Sequence, residues 1–196
     1  MKLFHYHYWT DSVEETEDFY WKCGFKIVQR FGKNKTYHPP LTWNDFRKEQ
    51  PIFRVIEVRK GSVNITFGEG KRPIFDHIGF LVNKAEQHSI CKRAMKLGWG
   101  TEMNERRTFI RAPFGLRFEL QCREEVIDDI GAKFAIKGMK IGIKKEDGIN
   151  QVTSVFNSSL PEIQFVKSDK LELQCVLVNG LHQYYKDPNG VVLLPS

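Results

Sequence analysis

Three short segments hold the side chains that could do chemistry. In "DHIGFLV" (76–82), Ile78, Phe80 and Val82 alternate with His77, Gly79 and Leu81, so one strand face is apolar and the other opens on an imidazole and narrows to glycine. In "KLFHYHYW" (2–9), the same alternation places Leu3, His5, His7 and Trp9 on one face and Phe4, Tyr6 and Tyr8 on the other. Glu119 lies between Phe118 and Leu120 in "LRFELQC", where a carboxylate needs a metal, an arginine or solvent to offset its burial. An imidazole on such a strand is either a hydrogen-bonded structural residue or a ligand.

The elements around these residues repeat. The first strand is followed by "TDSVEETEDFYWKCGF", a helix with an N-cap at Asp11 or Ser12, early acids and a stop at Gly24. Strands "FKIVQRF", "IFRVIEVRK" and "SVNITFGE" complete a βαβββ unit over residues 1–71. The order recurs over 74–122: "DHIGFLV", a helix ending at Gly98, then "GTEMNE", "RTFIRAP" and "LRFELQC". His5 and His77 therefore stand at equivalent points of equivalent units. After a linker (123–136), residues 137–196 form a weaker third copy, in which "KDPNG" aligns with "RAPFG", Lys140 takes the place of His77 and Leu194 that of Glu119. The expected fold is α+β, with tandem βαβββ modules forming a curved mixed-sheet cup and a third, degenerate module. The segment between the second and third strands, around Pro39, Pro40 and Trp43, is a candidate lid.

Bulk properties exclude several classes. The 196 residues carry 30 Lys and Arg against 24 Asp and Glu, but the basic runs are short and scattered, which argues against nucleic-acid binding. A net charge of +6 suits a small anionic substrate as well as a solvated surface. Cys23, Cys91, Cys122 and Cys175 have no metal-binding or redox spacing. With no membrane-length apolar run and no leader pattern, a reduced, cytoplasmic protein without membrane contact is expected.

The segments "HYHYWTDSVEETEDFYWKCGF", "DHIGFLV" and "APFGLRFELQ" resemble the vicinal oxygen chelate superfamily, which includes glyoxalases, bleomycin-resistance proteins and extradiol dioxygenases. The resemblance implies a divalent-metal cup with His5, His77 and Glu119 as ligands, Glu119 following the turn glycine Gly115 by four positions. Two imidazoles and a carboxylate suit Fe(II) or Mn(II), with zinc and nickel as alternatives. The chain departs from the glyoxalase pattern in having Asn64, Thr66 or Glu69 where those isomerases carry a fourth ligand. It departs from the ring-cleaving enzymes in lacking their acid–base histidine and in having Phe109 at their tyrosine position. His7 then becomes the candidate for proton transfer, and Trp9, Thr66, Arg117 and Gln121 the candidate substrate contacts.

Two functional readings follow. One is a metal-dependent enzyme acting on a small oxygen-chelating substrate by dioxygenase-like or Lewis-acid chemistry. The other is a metal-free protein that sequesters a small molecule, as bleomycin-resistance proteins do. The unpaired third module is expected to leave an apolar sheet face, covered either by its counterpart in a homodimer or by the linker within one chain.

Overall fold

The computed structural model describes all residues except 33–34, 37–41, 50–52, 105–106, 158–159 and 161, with the backbone alone at 35–36 and 48–49. The first module contains β1 (Lys2–Thr10), α1 (Val13–Lys22), β2 (Lys26–Gly32), the short β3 (Lys35–Thr36), α2 (Trp43–Glu49), β4 (Phe53–Lys60) and β5 (Val63–Glu69). The second contains β6 (Ile74–Leu81), α3 (Lys84–Lys96), β7 (Gly100–Met103), β8 (Thr108–Arg111) and β9 (Arg117–Gln121). Their strands form one mixed sheet in the order β3-β2-β4-β5-β1-β6-β9-β8-β7. In each module the last strand returns to lie parallel to the first, and the modules join where β1 runs antiparallel to β6.

The helices follow from local chemistry. Asn83 caps α3 in a reciprocal pair with Glu86, and Ile90, Cys91 and Ala94 form its buried stripe. Ser12 stands at the N-cap of α1 without a side-chain cap bond, and Glu14 and Glu15 occupy the first turn. Helix α2 was not apparent from the sequence, because its seven residues are too few to show a period. Of the candidate lid, Pro39 and Pro40 lie outside the described residues. Trp43 packs against Phe53 and Phe46, with ring centroids 4.9 and 5.8 Å away.

Residues 135–196 form a second sheet from β10 (Ala135–Ile143), β11 (Ile163–Lys167), β12 (Glu172–Asn179), β13 (Tyr185–Lys186) and β14 (Val192–Pro195), with the short helix α4 (Val152–Phe156). The order is β11-β10-β12-β14-β13. This unit is degenerate in its pairing as well as its residues. Its first strand takes β11 as parallel neighbour rather than the last strand, β14. The turn before the last strand repeats that of the second module: Gly115 N–H donates to Ala112 O at 2.9 Å, and Gly190 N–H to Asp187 O at 3.0 Å. Both glycines have φ near +90° (+95° and +89°), a conformation other residues rarely adopt.

A continuous apolar core joins the sheets, running from Tyr6, Ile78 and Phe118 to Ile141 and Val176. Inside it, the Tyr20 hydroxyl donates to Asp187 Oδ2 at 2.8 Å and pairs with that of Tyr6 at 2.9 Å. The second sheet thus backs the central strands, whose opposite face carries the histidines. Among the described residues, no helix is long and apolar enough to cross a membrane.

Candidate metal centre

The β1–β6 junction sets the site. Its register pairs His7 with His77 and His5 with Gly79, while β5 and β9 flank it with Asn64 beside His5 and Arg117 beside His77. The two modules are therefore related by a pseudo-two-fold axis between β1 and β6. That axis makes His5 equivalent to His77, and Thr66 (paired with His7) equivalent to Glu119 (paired with Gly79).

A bulge on each strand interrupts the alternation, leaving Phe4 extra between Leu3 and His5, and Asp76 between Phe75 and His77. This corrects the simple face assignment for β1. Leu3 joins the main core, and Phe4 packs with Leu81 and Ile127. Gly79 answers a close approach between the two strands. A Cβ there would lie 2.9 Å from His5 Cβ and 3.2 Å from its ring, so the glycine makes room for the His5 side chain itself.

The structure brings His5, His77 and Glu119 together, all buried, with one donor atom from each within 4.8 Å of the others. His77 Nε2 lies 3.2 Å from both His5 Nε2 and Glu119 Oε2, and His5 Nε2 lies 3.9 Å from that oxygen. The far side of each ring is anchored. His5 Nδ1 is 3.0 Å from the Asn64 carbonyl and 2.9 Å from its side-chain oxygen. The Asn64 amide donates to Glu57 and to the Val126 carbonyl, which leaves that oxygen as an acceptor. His77 Nδ1 lies 2.9 Å from Asp76 Oδ2, which also accepts from Arg117 Nη2 at 2.5 Å.

With both Nδ1 protons donated outward, the two Nε2 lone pairs and the carboxylate converge on one point. Such an arrangement is held together either by a cation among the donors or by a proton shared between His77 Nε2 and Glu119. The donor set is the two-histidine, one-carboxylate combination that suits Fe(II) or Mn(II), and the anchoring of each ring is the support metal-binding histidines use.

Electrostatics favours a neutral His5 and an ionised Glu119. Burial lowers the His5 pKa to about 4, against the opposing pull of Glu119. Burial pushes the Glu119 carboxyl up, but the His77 hydrogen bond, both imidazoles and Arg107 outweigh it and hold it near about 2. Asp76 is likewise raised by burial but held at about 2 by His77 and Arg117.

His7 stands beside the trio. Its ring stacks on His77 at 5.1 Å and 15°, and its Nδ1 lies 2.6 Å from the Thr66 hydroxyl. Burial, then the His77 and His5 imidazoles, keep its pKa well below the ordinary value. Trp9 packs edge-on to His7 at 4.8 Å and covers Gly68, where a Cβ would come within 2.7 Å of the indole.

The other expected substrate contacts are already engaged. Thr66 bonds His7, and Arg117 bonds Asp76. Gln121 is buried behind Glu119, donating to Oε1 at 3.4 Å and accepting from the Arg123 backbone at 3.1 Å. His88 and His182 are exposed, away from the trio. Sequence reasoning missed Asp76 and Arg107 and gave Asn64 no anchoring role. Arg107 places Nη1 3.6 Å from Glu119 Oε2, from a segment with no periodicity to mark it.

No protein-family model matches the chain, and no curated protein matches it in sequence. Solved structures do match. The 2,3-dioxygenase LapB from Pseudomonas sp. KL28 aligns over 98% of this chain and 90% of its own, with a TM-score of 0.67 and 13% identity. Homoprotocatechuate 2,3-dioxygenase from Arthrobacter globiformis aligns over 100% of this chain and 80% of its own, at 0.68 and 9%. The Mn(II)-bound glyoxalase from Novosphingobium aromaticivorans aligns over 98% and 80%, at 0.67 and 10%. Two mixed sheets, modules joined first strand to first strand and these structural matches agree: the chain has the fold of the vicinal oxygen chelate superfamily.

Proposed function

We propose that the protein is a divalent-metal-dependent enzyme acting on a small substrate with two neighbouring oxygen donors. The convergence of His5 Nε2, His77 Nε2 and Glu119 Oε2, with both rings anchored from behind, carries this reading. These three residues would hold Fe(II) or Mn(II). When bound, the ion would supply Lewis acidity or, as Fe(II), dioxygen activation.

The remaining steps belong to the chain. Asn64 and Asp76 fix the two rings, so the ligand geometry is set before metal or substrate arrives. His7 is the proton acceptor. With Nδ1–H donated to Thr66 Oγ1, its Nε2 has no partner among the described residues and is free to take a proton from a chelating hydroxyl. Burial of His5, His7 and His77 keeps bulk water from the reacting atoms. The metal-free sequestering reading has less support, since it leaves the facing Nε2 atoms unexplained.

Turnover under two loadings tests the proposal. The Fe(II)-loaded chain should consume oxygen with a vicinal-dihydroxy aromatic compound if its chemistry is dioxygenase-like. If the chemistry is Lewis-acid alone, the Mn(II)-loaded chain should exchange a proton α to a substrate carbonyl without oxygen. His7→Gln should lower kcat about 10²–10⁴-fold in either case while sparing metal uptake. Inactivity of both loaded forms across such compounds would overturn it.

A further inference from the structure

The cationic groups beside the ligands point to the charge of the substrate, an inference that rests on the metal-centre reading above. Phe109 pairs with Glu119 across β8 and β9 and packs edge-on to His77 at 4.9 Å. Two guanidinium groups lie over its ring, Arg117 at 4.6 Å and Arg107 at 5.1 Å. Like charges gather this way only if anions hold them. Asp76 binds Arg117, and Glu119 faces Arg107.

Among the described residues, those anions leave Arg117 incompletely satisfied. Arg117 Nε is buried with no hydrogen-bond acceptor among the described residues. Arg107 is about half exposed (48%), and the carboxylate opposite it is the one that would ligate the metal. Once Glu119 neutralises a divalent ion, Arg107 loses its counter-charge while staying beside the three donors. We infer that Arg107 and Arg117, stacked on Phe109, form an oxyanion subsite next to the metal, so that the substrate carries an anionic group, such as a carboxylate, apart from its two chelating oxygens. Phe109 gives that subsite a flat apolar floor, and the fork geometry of arginine suits a carboxylate.

A matched pair of probes tests this in the Mn(II)-loaded chain without oxygen: 3,4-dihydroxybenzoate and its methyl ester, which share the chelating hydroxyls and differ in charge. The acid should bind at least about tenfold more tightly than the ester, as one charge-assisted contact requires. Arg107→Gln should abolish that preference without preventing manganese uptake or ester binding, and Arg117→Gln should reduce it. Equal affinity for the two probes, binding of neither, or a preference unchanged in Arg107→Gln would overturn the inference and leave the metal centre standing. A chain that takes up no manganese would instead remove the metal reading first and the subsite with it.

Discussion

The five central strands of the first sheet, β5-β1-β6-β9-β8, and the whole second sheet, β11-β10-β12-β14-β13, are two versions of one pairing scheme. Each runs parallel, antiparallel, parallel, antiparallel. The antiparallel junctions share their irregularities, with bulges at Phe4 and Asp76 in one and at Lys137 and Gln174 in the other. Superposing the registers puts Gly138 at the position of His5, Cys175 at that of His77, Leu194 at that of Glu119 and Leu177 at that of Gly79. The small and large partners have changed places. In the first sheet Gly79 yields to the His5 ring, and in the second Gly138 yields to Leu177, whose methyl would lie 3.0 Å from a Cβ there. The scaffold alone therefore does not gather the three donors. It offers three converging positions, which the first sheet fills with donors and the second with a glycine, a thiol and an alkyl chain.

The sharpest way to break this contrast is to remove a donor or add donors back. His5→Ala should cost at least about a hundredfold in metal affinity by titration calorimetry, more than the loss of an outer contact. The double variant Cys175→His/Leu194→Glu should gain no measurable site in a chain already carrying His5→Ala, because Gly138 supplies no third donor and Leu177 fills the space beside it. Next in size, Asp76→Ala should weaken metal binding about 10–100-fold, since it frees His77 Nδ1 and releases Arg117.

The glycines offer a comparison in stability. Gly79→Ala forces a methyl into the backbone-fixed His5 Cβ and should cost about 1–3 kcal/mol by urea unfolding. Gly138→Ala meets chiefly the movable, partly exposed end of Leu177 and should cost about 1 kcal/mol or less.

The smallest effect concerns the paired turns, where Ala112 in the second module corresponds to Asp187 in the second sheet. Burial raises the Asp187 pKa, with the Tyr20 hydroxyl and two backbone N–H groups opposing it. The folded chain then holds this proton more tightly than the unfolded one. Stability from this group should fall as pH rises from the ordinary carboxylate range through the folded pKa, and Asp187→Asn should flatten the decline. An unchanged profile in that variant would refute the assignment.

His5 and His77 were legible because strand alternation and module equivalence are local patterns, whereas Glu119 was singled out by the family resemblance, through its distance from the turn glycine Gly115. The supports of these ligands were not legible. Asp76 adjoins His77, so a regular strand would turn the two side chains to opposite faces, and only the bulge between Phe75 and His77 lets the carboxylate reach the ring. Bulges also explain the misplacing of Leu3 and Phe4. The doubled pairing scheme of the C-terminal region was hidden for another reason. Its five-residue helix and the strands after it read in sequence as one further module, while the identity of each strand's neighbour depends on contacts far apart in the chain.

Metal content is the most direct measurement: the chain purified anaerobically without an affinity tag, beside His77→Ala and Glu119→Ala. About one iron or manganese per chain in the wild type and none in either variant is the expected result. A wild-type chain that binds neither ion, even when titrated with Fe(II) and Mn(II), would contradict the assignment of His5, His77 and Glu119 as a metal centre.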